Sequence, residues 1–171
     1  MGVSLPETVL SHWNKMIDGL DQSSEALYAE TEKNLSVHQL KDVKLERVDL
    51  FEGGIFSAKR EYLQIKHESY VYHVCAAPYG NGFFVSSWLG EVQSGFWAWL
   101  AGWPYVGRVV KFLMSFAKPM TYYRIDTLEM FHAVVHDSVT KALDSFLAAK
   151  SMRALSESDR KPIMRDVLNL I

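Results

Sequence analysis

The sequence predicts an α+β fold in which a four-stranded antiparallel β-meander packs with an N-terminal helix and a long C-terminal helix. Two observations predict it: short β-branched and aromatic segments separated by turn residues in the middle of the chain, and helical periodicity on both sides of them. We expect residues 1–171 to form a single α+β domain, with residues 95–118 as a hydrophobic, amphipathic helical insertion after the fourth strand.

The middle of the chain contains the strand pattern. The predicted strands are Val43–Phe51, Ile55–Lys66, Tyr70–Ala77 and Phe83–Leu89. Glycine-containing turn sequences separate most of them. Connections this short cannot cross over a sheet, so consecutive strands should be antiparallel neighbours. The third and fourth strands have few charged residues and should therefore be covered on both faces.

Helical periodicity precedes the strands. Apolar residues recur at three-to-four spacing from Leu5 to Leu20, which predicts an amphipathic helix. A second helical piece, marked by Leu27 and Tyr28, should reach about Lys33. We therefore expect one helix, or two with a break, before the first strand.

A longer helical pattern follows the strands, from about Tyr123 to Lys150. One face of this helix should pack on the sheet through an apolar stripe, which consists of Leu128, Phe131, Val135, Val139, Ala142 and Phe146. Ser156–Asp159 then resembles a capping box, and the apolar residues between Ile163 and Ile171 predict a short closing helix.

The composition is that of a soluble globular protein, with 49% hydrophobic and 22% charged residues. The formal net charge of −2 gives no reason to expect a nucleic-acid partner. The single cysteine, Cys75, cannot form an internal disulfide, and the first residues do not resemble a secretory signal. We therefore expect a cytoplasmic protein, in solution or peripheral at the inner membrane face.

The segment from Gly95 to Lys118 combines aromatic, apolar and cationic residues. Three of the five tryptophans lie in it, and the window from Val92 to Ile125 has four cations and neither Asp nor Glu. The rest of the chain must therefore carry a charge of −6 to give the total of −2. Pro104 suits the start of a helix of about 14 residues, ~21 Å long, which is too short to cross a hydrocarbon core of ~30 Å.

Two interpretations of this segment remain open. In one, it packs on the sheet or on a second copy of the chain, in a homo-oligomer, with its cations toward water. In the other, it lies in a membrane interface with tryptophans at headgroup depth and cations toward anionic lipid. The residues that would contact a membrane or protein partner are Trp97, Trp99, Trp103, Tyr105, Arg108, Lys111, Phe112, Phe116 and Lys118.

The long helix also contains the pattern Glu-x-x-His-x-x-x-His, formed by Glu129, His132 and His136. These spacings place the three side chains in one sector of a helix, from which they could hold a divalent metal such as Zn²⁺. A further ligand would have to come from elsewhere, and His73 on the third strand is the nearest candidate by residue type. The competing interpretation is a core histidine and an edge Glu–His pair without metal.

The predicted function is therefore a non-catalytic interaction protein that docks through residues 95–118 on a membrane surface or protein partner, without a cofactor. The alternative is a small metal-dependent enzyme that uses Glu129, His132 and His136. Neither pattern identifies a catalytic residue, and Cys75 in the middle of a strand should be buried and inert.

Overall fold

The computed structural model describes residues 8–51, 59–92 and 121–165, which form an α+β structure with one antiparallel sheet. The elements in chain order are β1 (Thr8–Asp18), α1 (Ser24–Val37), β2 (Val43–Phe51), β3 (Lys59–His67), β4 (Tyr70–Tyr79), β5 (Gly82–Glu91), α2 (Tyr122–Ala149), α3 (Glu157–Arg160) and β6 (Ile163–Met164). Within the described ranges the sheet has six strands in the order β2-β3-β4-β5-β1-β6.

The sheet is larger than the predicted four strands. β2, β3, β4 and β5 are antiparallel neighbours in chain order, because short connections keep consecutive strands adjacent. β5 also pairs with β1, and β1 pairs with β6, so the four-stranded sheet was a wrong prediction. β4 is buried from Tyr70 to Ala76, so side chains on both faces of the sheet are buried along this stretch.

The predicted first helix is also wrong, because Thr8–Asp18 is strand β1. Its partner β5 runs antiparallel along the whole strand, and the register shifts between Val9 and Ser11. An extra residue in one strand lengthens the spacing between apolar side chains on the same face, and the longer spacing resembles that of a helix. The irregularity therefore hides the two-residue period of the strand. Trp13 and Ile17 are nevertheless both buried in the core, four residues apart on one face of the strand.

α1 coincides with the second predicted helical piece and extends it to Val37. Ser23 caps the helix by accepting a hydrogen bond from the backbone N–H of Ala26 at 3.1 Å. Leu27, Tyr28 and Leu35 are buried against the sheet and α2.

The Tyr28 hydroxyl joins two strands where their own pairing stops. The last pair between β3 and β4 is Tyr62 with Cys75. Just beyond it, the hydroxyl donates to the carbonyl of Glu61 at 2.7 Å and accepts from the N–H of Ala76 at 3.0 Å. A side chain of α1 therefore satisfies backbone groups that the β3–β4 ladder leaves open.

α2 begins one residue before the predicted start and ends one residue before the predicted end. Thr121 caps it by accepting from the N–H of Arg124 at 3.4 Å. All the predicted stripe residues are buried except Phe146, which is partly buried against the same core. This apolar stripe packs on one face of the sheet, against side chains that include Leu63, Ile65 and Tyr72.

The predicted capping box is confirmed, but the closing helix is not. Ser156 and Asp159 exchange the two capping hydrogen bonds, and α3 then ends at Arg160. Pro162 accounts for the end, because proline disfavours helical backbone at the residue before it, and Lys161 is indeed extended. The chain continues as β6, an edge strand on β1, as far as the described residues reach.

Candidate functional site

The nine residues predicted to contact a membrane or partner all lie between 97 and 118, outside the described residues. What the structure describes is the protein on both sides of this segment: the end of β5 and the start of α2. Within the described ranges, every helix is too short or too polar to span a bilayer.

The end of β5 and the start of α2 are joined by an ion pair. The Arg124 guanidinium lies 2.6 Å from the Glu91 carboxylate, and both side chains are largely buried. The Tyr70 hydroxyl donates to the carbonyl of Arg124 at 3.3 Å, and burial raises the pKa of Tyr70, so the hydroxyl keeps its proton. The described residues that precede and follow positions 93–120 therefore lie beside each other, at a place that we call the stem.

Two exposed aromatic side chains lie beside the stem. Tyr122 is 88% exposed and Tyr123 is 73% exposed, both in the first turn of α2. Tyrosine rings combine an apolar body with a polar hydroxyl and are suited to surfaces that are apolar on one side and wet on the other. The sequence analysis did not include this pair among the site residues, although the tyrosines follow the Trp-rich segment directly.

The structure brings His132 and His136 together but leaves Glu129 apart. The two imidazole rings are stacked with centroids 5.6 Å apart. His132 Nε2 hydrogen-bonds the buried Ser11 hydroxyl at 2.9 Å, and His136 Nε2 lies 2.6 Å from the carbonyl oxygen of Arg160. Glu129 is exposed, and the described ranges contain no group of three histidine, cysteine or acidic residues close enough to hold a metal.

Burial keeps both histidines neutral. Loss of solvation, with the neighbouring His136 as a second cause, lowers the pKa of His132 to about 4. Burial also lowers the pKa of His136, against the opposing effect of its hydrogen bond to Arg160. Because Nε2 of each ring is already hydrogen-bonded within the protein, this arrangement is that of a packed histidine pair, without the predicted edge pair of Glu129 with a histidine among the described contacts.

His73 cannot join this pair, because it lies on the other face of the sheet. Its neighbour Tyr72 has its ring 5.9 Å from that of His132, and adjacent strand residues point to opposite faces. His73 Nε2 instead bonds Gln64 Oε1 at 3.1 Å, and burial lowers the pKa of His73 to about 4. On the same face, Cys75 is buried, and burial raises its pKa, which favours the unreactive thiol.

An apolar groove lies beside the first half of α2. It has a volume of about 420 Å³ and lies between α2, the residues that lead into β2, and the end of β3. The side chains of Leu40, Val43, Phe131 and Val134 are among those that line it, together with the imidazole of His67. Sequence periodicity could not predict this groove, because its walls come from three separate parts of the chain.

Comparisons with known proteins assign no family. No family model matches the chain, and no curated protein matches it. Among solved structures, the crystal structure of TTHA0849 from Thermus thermophilus is similar at 16% sequence identity with a TM-score of 0.30, over 82% of this chain and 97% of that chain.

Proposed function

We propose that this chain is a non-catalytic interaction protein that docks on an anionic membrane surface through residues 95–118. The observation on which the proposal rests is the composition of that segment: three tryptophans, and cations at Arg108, Lys111 and Lys118 without any acidic residue. Tryptophan prefers the level of the lipid headgroups, and each cation near an anionic surface contributes about 1 kcal/mol.

The stem supports this proposal. The Glu91–Arg124 ion pair joins the described residues on the two sides of the segment, at the end of β5 and the start of α2. Tyr122 and Tyr123 are exposed there and would add two interfacial rings to the same contact. The negative charge of the rest of the chain would be repelled by anionic lipid, which orients the molecule with the segment toward the membrane.

The metal-enzyme alternative has less support. It requires Glu129, His132 and His136 to share one ion, and both histidines use Nε2 in hydrogen bonds within the protein. Elemental analysis of the purified protein tests this alternative directly. Bound Zn²⁺ at one equivalent, lost in a His132→Gln/His136→Gln variant, would favour the enzyme over the docking protein.

Flotation with vesicles tests the docking proposal. We expect the protein to float with phosphatidylcholine vesicles that contain phosphatidylserine, and to float less at high salt. Replacing Trp97, Trp99 and Trp103 by Ser should abolish flotation. The charge reversal Arg108→Glu/Lys111→Glu should lower the partition coefficient by about 30-fold or more, from a loss of at least ~2 kcal/mol.

Matched variants outside the segment serve as controls. Lys33→Glu/Lys141→Glu reverses two exposed lysines, and Tyr79→Ser removes an aromatic ring that is 68% exposed. The Tyr79→Ser control should float like the wild type, and the lysine reversals should weaken flotation much less than those in the segment. Absence of flotation, or equal losses in segment and control variants, would reject the membrane surface in favour of a protein partner or burial within the chain.

A further inference from the structure

The groove beside α2 has the size and lining of a small-molecule site. Its volume of about 420 Å³ falls within the range in which proteins bind small molecules. Leu40, Val43, Met130, Phe131, Ala133 and Val134 give it apolar walls. Two other cavities in the described ranges are both lined by Lys15 and Asp159, which already pair with each other at 2.6 Å. The groove by α2 is therefore the cavity whose chemistry favours an apolar occupant.

One polar group in the groove lacks a partner. His67 lines it, with its ring 5.5 Å from that of Phe131, and its Nδ1 atom is buried without a hydrogen bond to any described residue. A buried nitrogen without a partner costs free energy, and a ligand atom in the groove could recover it only if the nitrogen turned toward the groove. Rotation of the imidazole by half a turn about its Cβ–Cγ bond would exchange Nδ1 with a ring carbon and change the direction in which the nitrogen points.

The walls of the groove combine a fixed base with an adaptable rim. Phe131 is 4% exposed and is held in the core, whereas Met130 is 63% exposed. Methionine adapts its shape to the surface that it contacts, so it can close over a bound chain.

We propose that this groove binds an aliphatic molecule with a single hydrogen-bonding head group, a carboxylate or a hydroxyl, whose head meets the His67 imidazole in its rotated orientation. The aliphatic chain would lie along Phe131 and Val134, where burial of apolar surface supplies the affinity. The imidazole can donate to a carboxylate, and it can donate to or accept from a hydroxyl. This site does not depend on the docking segment or on the proposed membrane function.

Calorimetric titration with decanoate and with decanol, below the micelle concentration and without vesicles, tests the proposal. We expect saturable one-to-one binding of at least one of the two by the full chain. Ala133→Trp should weaken it by about tenfold or more, because the indole would occupy the groove. His67→Phe keeps a ring against Phe131 but removes the nitrogen, and should weaken binding by about fivefold.

The matched control is Ala148→Trp, at another exposed alanine of the same helix that is not among the residues lining the groove. Its affinity should equal that of the wild type, and circular dichroism should show the same helix content for all variants. Absence of saturable binding by the wild type overturns the proposal. Equal loss in Ala133→Trp and Ala148→Trp would overturn it as well, and an affinity in His67→Phe equal to the wild type would overturn the assignment of the head group to His67.

Discussion

At the level of single residues, the buried histidines have the most direct physical consequence. The buried His132 stacks on the partly buried His136, and His73 lies buried on the opposite face of the sheet. Burial lowers the pKa of each of the three and holds it neutral, and for His136 it outweighs the opposing effect of Asp137. Lowering the pH therefore favours the unfolded state, in which these histidines can bind protons.

We predict that the free energy of unfolding falls as the pH is lowered from 7.5 to 5. An unfolded histidine binds a proton near pH 6.5, whereas folded His132 and His73 remain neutral down to about pH 4. The unfolded state binds more protons between these values, so stability is present above pH 6.5 and is lost toward pH 4. The loss at pH 5 should be about 2 kcal/mol for each of the two groups, measurable by urea denaturation.

The variant His132→Gln should remove the contribution of His132 to the difference in unfolding free energy between pH 7.5 and pH 5. This expectation does not depend on how much the substitution changes stability at pH 7.5. His38→Gln, at an exposed position, should leave the difference between pH 7.5 and pH 5 as in the wild type. An unfolding free energy that is the same at both pH values would contradict the account of the buried histidines.

The sequence predicted that His132 and His136 share one sector of a helix, because helical spacing alone determines this. It did not predict the hydrogen-bond partner of either. Ser11 lies 121 positions from His132 in the sequence. Arg160, whose carbonyl oxygen bonds His136, is the last residue of α3 and lies 24 positions from His136. Local spacing aligns residues on one element, whereas partners depend on how distant elements pack.

At the level of elements, α1 and the stem each hold together strands or helices that the chain separates. The Tyr28 hydroxyl bonds the backbone of Glu61 and Ala76 where the β3–β4 ladder ends. The Arg47 guanidinium lies 4.5 Å from the centre of the Tyr28 ring. The Glu91–Arg124 pair joins β5 to α2.

We predict that Tyr28→Phe lowers the free energy of unfolding by about 2 kcal/mol, because it leaves the buried N–H of Ala76 without its acceptor. Urea denaturation gives the value. Tyr79→Phe is the control, since Tyr79 is 68% exposed, and should change stability by less than ~0.5 kcal/mol. Equal effects in the two variants would show that the hydroxyl bridge contributes nothing.

We predict a coupling free energy of about 1 kcal/mol between Glu91 and Arg124, because their side chains are only 28% and 23% exposed. A double-mutant cycle with Glu91→Gln and Arg124→Met measures it. The exposed pair Asp137–Lys141 on α2 provides the comparison, with an expected coupling of ~0.3–0.5 kcal/mol. A coupling at the stem that does not exceed this comparison would count against a joined stem.

Prediction of the elements succeeded where the pattern was long or unmixed. α2 and the strands β2, β4 and β5 were predicted within two residues at each end, because α2 has a continuous helical stripe and the strands are runs of strand-forming residues bounded by turns. β1 was predicted as a helix because its register irregularity disguises the alternation, and pairing with β5 decides its conformation. The closing helix predicted between Ile163 and Ile171 is wrong at Ile163–Met164, which pair with β1 as strand β6, and its residues 166–171 lie outside the described ranges.

At the level of the whole molecule, the sequence predicted the α+β class but not the size of the sheet. β1 pairs with β5 and β6 pairs with β1, so both ends of the described chain belong to the sheet. No local sequence pattern encodes pairing between strands so far apart in the chain. The apolar groove arises in the same way, from parts of the chain that are distant in sequence.

The docking proposal concerns the whole molecule, because it assigns contact with another surface to residues 95–118 and not to the sheet and its helices. The tryptophans make the separation measurable: Trp97, Trp99 and Trp103 belong to the segment, whereas Trp13 is buried in the core and Trp88 stacks on His12. Subtracting the spectrum of a Trp97/Trp99/Trp103→Phe variant from that of the wild type isolates the fluorescence of the segment.

The most direct test is this difference fluorescence, recorded with and without vesicles that contain phosphatidylserine. If residues 95–118 dock on anionic lipid, acrylamide quenches the segment's tryptophans in the free protein, and vesicles shift their emission to the blue and protect them from acrylamide. Emission that is unchanged by vesicles would contradict it, and protection that is already complete without vesicles would show that the segment is buried within the protein itself.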